Sequence, residues 1–184
     1  MFRLTLVTAT LLLLTAAGFA QVPSGNVFVG YSYMSADLVS GNRTSLNGWN
    51  GSVEGKVLPL LGLVADFSGH YGSEGALSNA CPPSFFGVSC SVHEENFVFG
   101  PRLSFSLGKF RPFVHGLIGA GHISETATGF SNTDICFADA LGGGIDYRVV
   151  PHVGVRLQID ALQTRFFNSS QNNVRVSTGI ALNF

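Results

Sequence analysis

From residue 27 onward, apolar residues alternate with small or polar ones in segments separated by Gly-, Ser- and Asn-rich breaks. In the seventh segment, for example, Val155, Leu157 and Ile159 alternate with Arg156 and Gln158. A period of two residues is typical of a β-strand with one apolar face. Eight strands are predicted, beginning near residues 27, 48, 61, 96, 112, 137, 153 and 174. The fifth is small and apolar on both faces, so the facing of residues 112–124 stays open.

The breaks between these segments alternate in length. Those after odd-numbered segments are long and polar: 36–46, 72–93, 125–133 and 166–172. Those after even-numbered segments are short: 58–60, 107–111 and 148–151. Long loops at one end and tight turns at the other, over an even number of strands, indicate an all-β fold, an eight-stranded antiparallel up-and-down transmembrane β-barrel. The segments are long enough, because a tilted strand crosses the apolar core of a membrane with about 9 to 11 residues.

Charged residues within the segments fall on the small and polar face. They are four acids and four bases: Glu54, Lys56, Asp66, Arg102, Asp146, Arg156, Asp160 and Arg175. On the lipid face each Arg or Lys near mid-membrane would cost about 2 to 4 kcal/mol. We therefore predict that these residues point inward and that ion pairs fill the narrow interior, leaving no pore. Asp139 departs from the pattern because it shares a face with Phe137 and Leu141, which predicts either a position at the outer end of its strand or a slip in register there.

Composition and the N-terminus agree with an exported membrane protein. Only 11% of the residues are charged, against about 25% in average soluble domains. The formal net charge is -1, which gives no basic surface for nucleic acid. Arg3, the apolar stretch 4–14 and the small residues Gly18 and Ala20 predict a signal peptide over residues 1–20, cleaved before Gln21, and a barrel domain over 21–184.

Several strings spread over most of the chain carry a family resemblance. They are GYSYM, NGWNGSVEGKV, LVADFSGHYGS, FGPRLSF, RPFVHGLIGAGH, ALGGGIDYRV, QIDALQTRF and NNVRVSTGIALNF. Together they resemble the small single-domain outer-membrane β-barrel family related to OmpA-type barrels. The resemblance implies a bacterial outer-membrane location, periplasmic termini and contact with outer-membrane lipid. It also implies that the terminal Ile180, Leu182 and Phe184 are a signal read by the barrel-assembly machinery.

The three cysteines are interpreted as one disulfide and one odd residue. Cys81 and Cys90 bracket eight residues of the longest predicted loop, and an exported protein meets an oxidising compartment, so we predict that they are bridged. Cys136 is expected to be buried or free. His93 lies close in sequence, but one His and two loop cysteines lack the spacing of a zinc site. Neither a metal nor another cofactor is expected.

The function predicted from these features is that of a non-enzymatic membrane scaffold. It would display four external loops for envelope integrity, adhesion or recognition of a host or surface ligand. One alternative is a lipid A or phospholipid acyl hydrolase that uses His122 and Ser124, with Asp134 or Asp139 supplied by the next strand as the required acid. The other is a secreted lipocalin-like barrel, although this would require an apolar interior and a polar exterior, the reverse of the observed pattern.

Overall fold

Eight β-strands make up almost all of the described chain. The computed structural model describes residues 24–39, 42–75, 89–127, 130–166 and 170–184. The strands are β1 Gly25–Val39, β2 Asn42–Lys56, β3 Leu61–Gly75, β4 Ser89–Ser104, β5 Phe110–Ala127, β6 Phe130–Val150, β7 Val153–Thr164 and β8 Gln171–Asn183. The predicted signal peptide, residues 1–20, lies outside the described residues. Within the described ranges, no helix is long and apolar enough to cross a membrane.

The sheet closes on itself. Each strand pairs antiparallel with the next, and β8 pairs with β1. At this closure the amide of Gly25 donates to the carbonyl of Phe184 at 3.0 Å, and the amide of Phe184 donates to the carbonyl of Gly25 at 3.1 Å. A closed sheet has no unpaired edge strand. The predicted eight-stranded antiparallel barrel is confirmed.

The two ends of the barrel differ in their connections. Three short connections, residues 57–60, 105–109 and 151–152, lie at one end, together with the start of β1 and the end of β8. We call this the turn end and the opposite one the loop end. β3 ends and β4 begins at the loop end, and the longest sequence interval between two strands, 76–88, lies between them. In the turn between β4 and β5, Gly108 has a φ of 63°, a conformation that residues with a Cβ rarely adopt.

The strands run further toward the loop end than the apolar pattern predicts. The long loops predicted at 36–46 and 125–133 are wrong over most of their length. Val39 still pairs with Asn42, and Ala127 still pairs with Phe130. Cross-strand hydrogen bonds satisfy the backbone in water as well as in lipid. An antiparallel ladder can therefore continue past the region in which one face must be apolar.

Side chains alternate between an exposed apolar face and a buried inner face. In β7, Val155, Leu157 and Ile159 are exposed, whereas Arg156 and Gln158 are fully buried. Phase along each strand thus assigns a side chain to the outside or the interior.

The structure decides two features that the sequence left open, the facing of β5 and the register at Asp139. In β5, Phe113, His115 and Leu117 are buried and point inward. Asp139 is half-buried on the outward phase of β6, and it pairs with Ile118 and Gln163 in an unbroken register. The alternative of a register slip at Asp139 is wrong.

Candidate functional site

At the centre of the interior charge network is Arg175, a fully buried residue of β8. Its Nη1 donates to Asp66 Oδ1 at 2.8 Å, and its Nη2 donates to Asp160 Oδ2 at 2.7 Å. The second carboxylate also lies 2.8 Å from His115 Nε2 and accepts a hydrogen bond from Gln158 at 2.9 Å. Charge-assisted bonds of this length are among the stronger interactions in proteins. They link β3, β5, β7 and β8 across the interior.

A second centre lies nearer the turn end at Arg156. Its Nε and Nη2 donate to the two oxygens of Asp146 at 2.6 and 2.9 Å, in a bidentate pair. Nη2 also donates to Asn26 Oδ1 at 2.9 Å. The guanidinium lies over the rings of Phe28 and Phe113, with its central carbon 4.9 and 4.8 Å from the two centroids. This Arg therefore has both its charge and its planar faces satisfied.

Glu54 is the third centre, and several cations share it. Lys56 lies 3.0 Å, Arg102 3.3 Å and Arg111 3.7 Å from its carboxylate oxygens. Asn26 donates to the same carboxylate at 2.6 Å. One negative charge is thus surrounded by three positive ones, an excess of positive charge that the other two centres lack.

The eight charges predicted to face inward all lie inside the barrel in the structure. Seven are buried, and Lys56 keeps 9% of its side chain exposed at the turn end. The network includes inward-facing titratable residues that the sequence prediction left out: His70, Glu94, Arg111, His115 and Glu125. Arg111 and His115 lie on or beside the segment whose facing the sequence left open, and Glu94 precedes the predicted start of its strand.

The interior is not polar throughout. Buried apolar side chains form one cluster, which toward the loop end includes Met34, Leu46, Val92, Ile123, Leu162 and Phe166. Leu162 in β7 and Phe166 just beyond its end, for instance, follow Asp160 and are buried. The prediction of an interior filled only by ion pairs is wrong for this part. We call this cluster the apolar layer; the buried carboxyl groups of Glu94 and Glu125 lie among its residues.

A polar patch occupies the outer surface of β3, β4 and β5 near the loop end. Glu95 lies between two imidazoles, with Oε1 3.3 Å from His93 Nε2 and Oε2 4.0 Å from His122 Nδ1. Tyr71 stacks on His93 with the ring centroids 4.4 Å apart. Ser124 lies opposite His93 in the β4–β5 register. The acid nearest His122 is therefore Glu95 on the preceding strand, whereas Asp134 or Asp139 on the following strand was expected.

Below this patch the outer wall carries an open apolar groove of about 450 Å³. Its lining includes Trp49, Phe67, Phe97, Ala120 and Ile135, and His122 lies along its edge.

Of the three cysteines, the structure describes the side chain of Cys136. Cys81 and the side chain of Cys90 lie outside the described residues; only the backbone pairing of Cys90 with Glu74 is described. Cys136 has a free thiol whose sulfur accepts a hydrogen bond from the amide of Arg165 at 3.2 Å. Within the described ranges, no group of three His, Cys, Asp or Glu residues is placed to hold a metal ion.

The terminal residues Ile180, Leu182 and Phe184 lie on the outer face of β8 at the turn end. About half of each side chain is exposed: 53%, 50% and 52%. All three are thus accessible from outside the barrel wall.

Solved structures resemble this fold, although no family model and no curated protein matches the chain. Neisserial surface protein A is 12% identical, with a TM-score of 0.67 over 87% of this chain and 97% of that one. Ail, the attachment invasion locus protein of Yersinia pestis, solved with the heparin analogue sucrose octasulfate, is 14% identical, with a TM-score of 0.59 over 88% and 100%. The N-terminal β-barrel domain of Pseudomonas aeruginosa OprF is 12% identical, with a TM-score of 0.56 over 87% and 99%. The fold is that of the small eight-stranded barrels of bacterial outer membranes.

Proposed function

We propose that this protein is a non-enzymatic integral outer-membrane barrel, a stable scaffold that displays its loop-end connections for adhesion or surface recognition. The observation that carries the proposal is the inversion of polarity across the wall, with ion pairs inside and large apolar side chains outside. Leu141 is 71% exposed and Val29 65% exposed, and such residues line most of the outer face outside the polar patch. In a membrane, lipid acyl chains solvate that face. In water it would form an apolar patch far larger than soluble monomers tolerate.

Aromatic residues support the same location. Exposed rings lie toward the loop end at Tyr31, Tyr33, Trp49 and Tyr71, and toward the turn end at Phe105, Phe110, Tyr147 and Phe184. Two such belts are typical of the interfaces on either side of a membrane. The secreted lipocalin-like alternative has no such support, because its ligand-binding interior would have to be apolar along its length.

The orientation and route follow from the barrel class. The turn end would face the periplasm and the loop end the exterior, after export directed by residues 1–20. Ile180, Leu182 and Phe184 would be read by the barrel-assembly machinery during insertion, and outer-membrane lipid would surround the folded wall. Nucleic acid is not expected as a partner.

Charge at the loop end restricts the external ligand. Among the described side chains there that are not buried, acids outnumber bases: Glu95, Asp134 and Asp139 against Arg43 and Arg165. Ail was crystallised with a sulfated polyanion. The acidic excess here favours a neutral or cationic surface ligand instead.

Replacement of residues 77–87 by a Gly-Ser linker of equal length tests the scaffold proposal. We expect the variant to insert into the membrane normally and to lose most of the binding of expressing cells to the target surface. The wild-type barrel, with its interior filled by ion pairs and the apolar layer, should show no stable nanosiemens channel in planar bilayers. Normal adhesion by the loop variant, or steady large conductance by the wild type, would contradict the proposal.

An acyl hydrolase remains the second candidate, and the placement of Glu95 beside His122 favours it. Ser124 and His122 share the outer face, the carboxylate could orient the imidazole, and the apolar groove below His122 could hold an acyl chain of an outer-leaflet lipid. Fatty-acid release from lipopolysaccharide or phospholipid by the folded protein, lost in Ser124→Ala and in His122→Asn, would establish this activity. The scaffold proposal predicts no release by wild type, Ser124→Ala or the control Ser91→Ala.

A further inference from the structure

The turn end opens into a cup of about 560 Å³ lined by basic side chains. Lys56 comes from the end of β2, Arg111 from the start of β5 and Arg148 from the end of β6, and Ser24, Ser106 and Asn183 line the space between them. We call these three cations and the space they enclose the basic mouth. Its position on the barrel axis separates it from both the outer groove and the external loops.

The three cations of the basic mouth outnumber the carboxylates that lie within 4.0 Å of them among the described residues. Lys56 and Arg111 both form ion pairs with Glu54, which Arg102 also contacts. Arg148 is exposed, and among the described residues no carboxylate lies within 4.0 Å of it. By contrast, Arg156 and Arg175 each have a carboxylate within 2.7 Å. The structural ion pairs and the basic mouth are therefore different kinds of charge cluster.

The guanidinium of Arg111 is held loosely. Its Nε and Nη2 each donate to Ser104 Oγ at 3.4 Å, and its Nη1 donates to Asn183 Oδ1 at 3.4 Å. Bonds of this length are at the limit of hydrogen bonding. A guanidinium has five N–H donors, and an acceptor that enters the cup can replace these long bonds.

We propose that the basic mouth binds a phosphate group. Several converging cations suit an anion with more than one negative charge and several acceptor oxygens, and an Arg fork matches phosphate geometry. On the periplasmic side such a group could belong to a soluble phosphate ester or to the headgroup of an anionic phospholipid in the inner leaflet. The chemistry of recognition is the same for both sources.

Pyrophosphate titration of the folded full-length protein in zwitterionic micelles at low salt tests this proposal. Backbone amide NMR shifts should saturate and should concentrate in the connections 105–109 and 151–152. Arg148→Gln and Arg111→Gln should each weaken binding about tenfold or more, since a bond to a charged group is lost. Arg165→Gln, which removes an exposed cation at the loop end, should leave the affinity unchanged.

Lipid competition distinguishes the two sources of the phosphate group. In nanodiscs, competition by phosphatidylglycerol but not by phosphatidylcholine would identify a lipid headgroup as the source, and undiminished pyrophosphate binding in both would identify a soluble ester. Arg148 makes no ion pair with any residue that the structure describes, so Arg148→Gln should fold normally even if Arg111→Gln does not. The proposal is overturned by a lack of saturable binding, or by equal weakening in Arg148→Gln and Arg165→Gln.

Discussion

Arg175 shows how an ionised side chain becomes stable inside this barrel. Burial of an isolated guanidinium would cost several kcal/mol, and the pairing with Asp66 and Asp160 offsets that cost only while both carboxylates stay in place. Ser68 accepts a further bond at 2.9 Å. The residue is thus part of a mutually dependent set, and removal of one member leaves the others as unpaired buried charges.

Arg175→Met should therefore lower the free energy of unfolding by about 3 to 5 kcal/mol. Urea unfolding of the protein in micelles, followed by tryptophan fluorescence, measures this difference. Arg165→Met, at an exposed position, is the matched control and should change stability by less than about 0.5 kcal/mol. Addition of Asp66→Asn and Asp160→Asn to Arg175→Met should restore part of the loss. Equal midpoints for Arg175→Met and Arg165→Met would show that the buried network does not stabilise the fold.

The cysteines give a second prediction for individual residues. A Cys81–Cys90 bridge closes a short loop, worth about 2 to 3 kcal/mol against the unfolded chain in the entropy model. Non-reducing peptide mapping should find these two linked, and the double Ser substitution should still yield a folded barrel. Because Cys136 is expected to stay a free thiol, a mapped link from Cys136 to either residue would refute the pairing.

Alternation along the sequence assigns a residue to a face, but it does not identify its partner. Asp66 and Arg175 meet across the interior because β3 and β8 are staggered within a closed sheet, and that stagger is set by all eight registers together. Glu95 and His122 meet because β4 pairs with β5 in one register and not in another two residues away. These contacts become visible only once every strand has been placed.

The sequence pattern predicts that a strand exists more reliably than it predicts where the strand ends. Apolar alternation marks the part of a strand that faces lipid, so the eight strands were predictable and their ends at the loop end were not. The facing of β5 was ambiguous because Val114, Ile118 and Leu117 are all apolar although only the last points inward. Pairing with β4 and β6 decides between the two phases.

Glycines allow β1 and β8 to close the barrel. Gly30 and Gly179 are paired in register, and a Cβ on either would lie 2.2 Å from a carbonyl oxygen of the other strand. Gly30→Val should therefore destabilise the barrel by about 1 to 3 kcal/mol or prevent closure. The control is Gly55→Val, since a Cβ at Gly55 meets nothing within 4 Å. The fraction of protein that refolds in micelles measures the difference, and equal yields would refute this role of Gly30.

The end of β8 carries a prediction about assembly. Deletion of Phe184 should reduce the amount of barrel inserted into the membrane in cells, because the terminal aromatic on the outer face is proposed to be read by the assembly machinery. Phe110→Ala removes another exposed aromatic at the turn end without touching the terminus. Quantitative immunoblots of membrane fractions compare the two. Equal insertion of both variants would remove Ile180, Leu182 and Phe184 from consideration as a signal.

For the whole molecule, the order of layers explains why a barrel of this size is closed and stable. The basic mouth lies at the turn end, ion pairs centred on Arg156 and Arg175 follow, and the apolar layer lies toward the loop end. The outer wall is apolar around this interior. Such a molecule is suited to remain in a membrane and to present its loop-end connections, and its polarity is the opposite of a water-soluble barrel's.

Cell fractionation combined with a heat-shift gel tests this central claim most directly. The protein should sediment with the outer membrane, should be released by detergent but not by salt, and should migrate differently before and after boiling because the closed barrel resists the gel detergent until heated. Recovery of the wild-type protein as a soluble periplasmic species, with the same mobility whether boiled or not, would contradict the account.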